Sequence, residues 1–143
     1  MAAEYSYVPV QTVAENENIT FMDGVRACRK GYITHRSDSG IFRLNGASNA
    51  CKTIYKVHFN GNIAVATGST VGAISVALSE DGETVNNTIA TVTPAAIGDF
   101  FNVSFETFIT IPCGCCVTVS VENASTGTAI DVENANIIFE RVA

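Results

Sequence analysis

The sequence predicts an all-β domain, and three observations carry that prediction. The first is the choice of side chain: 16 Val, 13 Ile and 15 Thr stand against only 2 Leu, Leu44 and Leu78. Branching at Cβ restricts a side chain in a helix and suits a pleated surface. The second is apolar alternation with a period of two, without a convincing helical period anywhere. The third is the short spacing of turn signals, the pattern of a sandwich or barrel.

Each element follows from these rules. "SYVPVQTVA" opens as an extended segment, with Pro9 suited to an edge. "NITFM" reads as a strand. "GYITHR" and "IFRL" flank "SDSG", a hairpin loop ending at Gly40. In "TIYKVHFNGNIAV", Tyr55, Val57 and Phe59 share one face and Lys56 and His58 take the other. "AISVALSEDGETV" lines up Ile74, Val76 and Leu78, then turns at Asp81-Gly82. "TIATVT" ends at Pro94, and "TPAAIGDF" has room for one helical turn. "DFFNVSFETFITI" sets Phe101, Val103, Phe105, Ile109 and Ile111 on one face. "PCG" turns the chain, "CCVTVSVENA" returns, and "AIDVENANIIFERVA" closes it.

A chain of 143 residues is one domain by length, spanning 1–143, with no repeat or linker to divide it. Hydrophobic residues make up 47% and charged residues 15%, which excludes a disordered tail. A formal net charge of −6 repels phosphate backbones, so nucleic acid is not an expected partner. Arg26, Arg29, Lys30, Arg36 and Arg43 lie close in sequence without forming a dense stripe. No 18-residue apolar run is present, so no membrane partner is expected. The first residues lack the basic and apolar regions of a secretory signal. The protein is expected to work where it is made, or to leave by lysis or within a larger particle.

"IPCGCCVTVSV" puts three cysteines into four positions, and four readings compete for them. Strand alternation places Cys115 with Val117, Val119 and Val121, and Cys116 with Thr118, Ser120 and Glu122. On that pattern the two adjacent thiols point to opposite sides and cannot share one metal ion. Structural zinc uses repeated C-x₂₋₄-C pairs, whereas Cys28 and Cys51 stand alone and His35 and His58 lack ligand spacing. Cys113 and Cys116 have C-x-x-C spacing, but a thioredoxin-like pair starts a helix and this one sits in a hairpin. What remains is Cys115 as a small buried hydrophobe, or disulfides joining Cys28 or Cys51 to the hairpin at Cys115 or Cys116. Five cysteines leave at least one thiol free or paired between chains.

No catalytic constellation stands out. There is no G-x-S-x-G, phosphate loop, H-E-x-x-H or informative carboxylate pair. "SEDGET" lacks the alternating ligands and distal Glu of a calcium loop and reads as a hairpin tip. Glycosylation triplets begin at Asn18, Asn86, Asn102 and Asn123, a chance yield of an Asn- and Thr-rich chain. No catalytic residue, metal or cofactor is expected.

From about residue 50 onward, the order of "TIYKVHFNGNIAV", "ISVALSEDGETV", "FFNVSFETFITIPCGCCVTVSVENAS" and the C-terminal "NANIIFERVA" resembles a known family. It is similar to the jelly roll of tumour necrosis factor-like and complement globular-head domains, in the bacterial and phage versions that cap collagen-like fibres. It also resembles small virion proteins of Firmicute prophages. The resemblance implies a jelly-roll β-sandwich that forms a homotrimer. Members on fibres follow a Gly-X-Y stalk or shaft; this chain shows none, which favours decoration of a surface. The residues agree on one point. In the last segment Ala135, Ile137 and Phe139 alternate with Ile138 and Val142, and Phe100 lies opposite Phe101. Apolar residues on both faces call for a second cover, most simply another copy of the chain. Phe100, Ile138 and His58 are the candidate interface residues.

Two functions fit. One is a structural protein of a phage particle, a capsid decoration or fibre-type module located on the virion, assembled in the host cytoplasm, with the major capsid protein as an expected partner. The alternative is a bacterial surface or spore-coat module that binds sugar or protein through its loops. Neither is an enzyme.

Overall fold

In a computed structural model, the structure describes residues 2–22, 32–47 and 51–143. The disulfide candidate Cys28, with Arg26, Arg29 and Lys30, lies outside the described residues. The strands are β1 (Ala2–Tyr7), β2 (Gln11–Val13), β3 (Ile33–His35), β4 (Phe42–Asn45), β5 (Lys52–Val65) and β6 (Ile74–Glu80). They continue with β7 (Glu83–Thr84), β8 (Ala90–Val92), β9 (Phe101–Pro112), β10 (Cys116–Asn123) and β11 (Ile130–Arg141). The only helical piece among the described residues is a 3₁₀ turn at Asn86–Thr88.

Two antiparallel sheets result. The first runs β1-β11-β5-β9, with β2 also pairing β11; the second runs β3-β4-β10-β6-β7, with β8 pairing β6. The first sheet joins strands from distant parts of the chain, the second mixes near and distant neighbours, and the sheets pack face to face as a jelly-roll β-sandwich. The expected fold class is the observed one.

Alternation builds the core. In β5, Tyr55, Val57, Phe59 and Ile63 are fully buried, while Lys56 and His58 take the outer face. In β9, Val103, Phe105, Ile109 and Ile111 point inward; in β11, Ile130, Val132, Ala135, Ile137 and Phe139 do. The second sheet answers with Phe42, Leu44, Ile74, Val76, Leu78, Val117, Val119 and Val121. Aromatic rings join the layers: Phe42 lies 4.9 Å from Phe139 and from Tyr5, and Phe21 lies 5.5 Å from Phe42. Each large apolar side chain removed from water contributes about 1.5–3 kcal/mol.

The turns follow the sequence. Asp81 and Gly82 have φ of 51° and 88°, the paired positive values that a two-residue hairpin loop needs. Gly114 turns the chain before β10 with φ 84°.

Four local expectations are corrected. "NITFM" forms no strand; Asn18 and Phe21 make only isolated bridges, to Glu122 and Ser39. Its burial was nonetheless legible, because Ile19 and Phe21 are both fully enclosed. "TPAAIGDF" holds no helix, and the single 3₁₀ turn forms earlier, beside the second sheet. Phe101 shares the parity of the inward residues, but it begins β9 where the core ends and is 46% exposed. Ser120 has the outward parity of β10 but is buried, 8% exposed, paired with the buried Ser79 of β6.

Candidate functional site

The outer face of the first sheet is built by register. One row crosses four strands: Glu4 of β1, Ile138 of β11, His58 of β5 and Glu106 of β9. Its neighbours are Ala2-Glu140-Lys56-Phe108 on one side and Ser6-Asn136-Asn60-Ser104 on the other. Two of the three interface candidates, Ile138 and His58, are therefore direct cross-strand partners. Both are only half-buried in this single chain. His58 Nδ1 lies 3.6 Å from Glu106 Oε2, an ion pair only when the imidazole is protonated. Lys56 Nζ lies 3.9 Å from Glu140 Oε2. Further along, Asn102 Nδ2 donates to Asn60 Oδ1 at 2.7 Å and to Asn62 Oδ1 at 3.1 Å.

The third candidate, Phe100, precedes β9 and is half-buried outside the ladder, so strand alternation does not govern it. The exposed aromatic ring on the ladder's outer face is Phe108, which is 62% exposed and stands opposite Lys56. Counting by twos from Phe105 past Thr107 would have put Phe108 on the outer side. The second face of β11 is also less apolar than expected. Asn136 and Glu140 flank Ile138 there, and Val142 lies past the end of the strand.

A second feature sits at the β9–β10 turn. Cys115 is exposed and belongs to the turn, with its N–H 3.4 Å from Pro112 O; β10 starts only at Cys116. The expected burial of Cys115 beside Val117 is therefore wrong, because alternation does not reach back past the first strand residue. The expected opposite orientation fails for the same reason: Cys115 Sγ and Cys116 Sγ lie 2.6 Å apart. Cys51, Cys113, Cys115 and Cys116 are all free thiols, so none of the disulfide candidates among the described residues is bridged in this structure.

The cysteine turn lines an open cavity of about 470 Å³ with Arg43, Asn45 and Gly46. Arg43 reaches Cys116 from β4, a contact that sequence spacing could not reveal. The hydrogen bond with Cys115, and after it burial, pushes the Cys116 thiol above the ordinary cysteine value, against the pull of Arg43. Among the described residues, no group of three or more His, Cys, Asp or Glu is placed to hold a metal ion. No helix there is long and apolar enough to cross a membrane.

No protein-family model matches this chain, and no curated protein matches it. Solved structures do. An Eiger tumour necrosis factor from S. frugiperda aligns with a TM-score of 0.67 at 12% identity, over 100% of this chain and 92% of that one. The globular domain of zebrafish complement 1qA aligns with a TM-score of 0.61 at 12% identity, over 99% of this chain and 94% of that one. Murine APRIL at pH 5.0 aligns with a TM-score of 0.58 at 14% identity, over 99% of this chain and all of that one. At such identities the likeness is one of fold, and it runs the whole length of the chain. The molecule has the jelly roll of tumour necrosis factor-like and complement globular-head domains.

Proposed function

We propose that this chain is a structural protein of a phage particle, a homotrimeric decoration or fibre-type module that works by assembly rather than catalysis. The observation that carries the reading is the outer face of the β1-β11-β5-β9 sheet. Half-buried Ile138 and His58 sit at its centre, and the exposed ring of Phe108 lies one row away. Apolar groups set in a polar rim mark a surface for another chain. Three copies about a three-fold axis are the arrangement that the resemblance to tumour necrosis factor-like domains implies. Assembly in the host cytoplasm and release within a particle complete this reading. The major capsid protein is then the natural partner, docked through surfaces the trimer leaves free.

Mass spectrometry of gradient-purified particles tests this reading. The chain is expected at a fixed ratio to the capsid protein, retained through a high-salt wash. Its absence from particles and its recovery from cell or spore surfaces would overturn the virion reading in favour of a surface-binding module.

A further inference from the structure

Nothing in the assembly reading uses the cavity at the β9–β10 turn. It is open, large enough for a small molecule, and lined by three thiols and one guanidinium. We propose that Cys115 and Cys116 form a dithiol site that reacts with a small disulfide of the glutathione class and closes reversibly into a bond between neighbouring residues.

The backbone makes this possible. Adjacent residues of a strand send their side chains to opposite faces, which forbids such a bond. Here the boundary between turn and strand falls between the two cysteines. Gly114, with φ 84°, swings the chain so that Cys115 leaves the strand pattern. Both sulfurs then meet on one side, 2.6 Å apart. Arg43, in the same cavity wall, supplies a cation for the carboxylates of a glutathione-type disulfide.

The chemistry balances in two exchanges. Cys115 is the exposed thiol, so its thiolate attacks one sulfur of the small disulfide. A mixed disulfide forms, and one small thiolate leaves. Cys116 is the more enclosed of the two, and its contact with Cys115, which raises its pKa, is consumed in this step. Cys116 then loses its proton and attacks Cys115 Sγ; the new bond forms, and the second small thiolate departs. Each departing thiolate takes up one proton. Two protein thiols are oxidised and one small disulfide is reduced to two thiols. Neighbouring Cα atoms lie about 3.8 Å apart, less than the ~4.4–6.8 Å of an ordinary disulfide. The closed ring is therefore strained, and mild thiol reduces it.

The test uses the full chain, reduced and then exposed to oxidised glutathione at neutral pH. Remaining thiols are alkylated, and the peptide carrying Cys113, Cys115 and Cys116 is weighed. The expected product is lighter by two hydrogens, carries one alkyl group, and returns to three alkyl groups after dithiothreitol. The Cys113→Ser variant, altered at an exposed turn position, is expected to close as the parent does. Cys115→Ser is expected to stop at the open form. Circular dichroism confirms that each variant is folded. Closure that is lost in Cys113→Ser or kept in Cys115→Ser would overturn the proposal, and both results together would assign the reaction to the Cys113–Cys116 pair. A folded protein that keeps all its thiols, or stalls as a stable glutathione adduct, would overturn it as well.

Discussion

Asn123 shows how single residues hold this sandwich together. Its side chain is fully buried, and each polar atom has a partner. Nδ2 donates to Val13 O at 3.0 Å and Thr128 O at 2.8 Å, and Oδ1 accepts from Ser125 N at 3.0 Å. The side chain thus ties the end of β10 to β2 and to the loop before β11. Asn123→Ala leaves two carbonyls and one N–H without partners in the interior. The expected loss is about 2–4 kcal/mol, read as a lower urea midpoint with an unchanged slope. The sequence showed only a glycosylation triplet here; burial excludes a glycan in the folded chain. Glu80 offers a second residue-scale test. Burial, and then the neighbouring Asp81, raise its pKa above the ordinary 4.5. The folded chain thus holds this proton more tightly than the unfolded chain. Stability from this group is greatest while Glu80 stays protonated, and it falls as pH rises from the unfolded value through the raised folded one. Glu80→Gln is expected to raise Tm at neutral pH. The gain should fade at about pH 3–4, where both states carry the proton. An equal gain at both pH values would sink this account.

Among the elements, the long strands were legible because each buries one face, and burial writes itself into every second residue. Where that rule lapses, the sequence misled. β11 carries an irregularity between Glu133 and Asn136, with Asn134 at φ 52°. The bulge keeps Val132 and Ala135 both inward, although simple alternation would separate them. Cys115 and Phe101 were misplaced at strand ends, where neighbours no longer enforce the pleat. The turns make two glycines testable for different reasons. Gly82 has φ 88° and open space around its missing Cβ, so Gly82→Ala meets backbone strain alone. A loss of about 1 kcal/mol is expected. At Gly40 a Cβ would fall 2.7 Å from both Asn18 Cβ and Ile19 O. Ile19 is itself locked, with its N–H on Val121 O at 2.8 Å. Gly40→Ala should therefore cost more, about 1–3 kcal/mol, and should loosen the buried Ile19–Phe21 segment. Thermal melts of the two variants rank them; a larger loss at Gly82 would contradict the packing argument.

For the whole molecule, fold class was readable because β-branched composition, alternation and turn spacing all point the same way. The face proposed for assembly was only partly readable. The outward positions of Ile138 and His58 were legible, yet their cross-strand pairing depends on the register between β5 and β11, which lie far apart in sequence. That pairing gives the sharpest test of the trimer. Ile138→Lys places a cation between Glu4 and His58 on the outer face. In a monomer the residue is half-buried on a solvent-facing sheet surface and Glu4 can answer the charge, so the sandwich should survive. In a trimer the same position would bring like charges into the shared interface, and unpaired buried charge is costly. Light scattering is expected to give three times the 15.1 kDa chain mass for the parent and a single chain for Ile138→Lys. Ile89→Lys, at a position 46% exposed next to β8 of the other sheet, should remain trimeric. If the parent is monomeric, the outer face is an ordinary solvated surface and Ile138→Lys should change nothing. If both variants fall apart, the contact between copies lies elsewhere, and the row through Ile138 and His58 is not its centre.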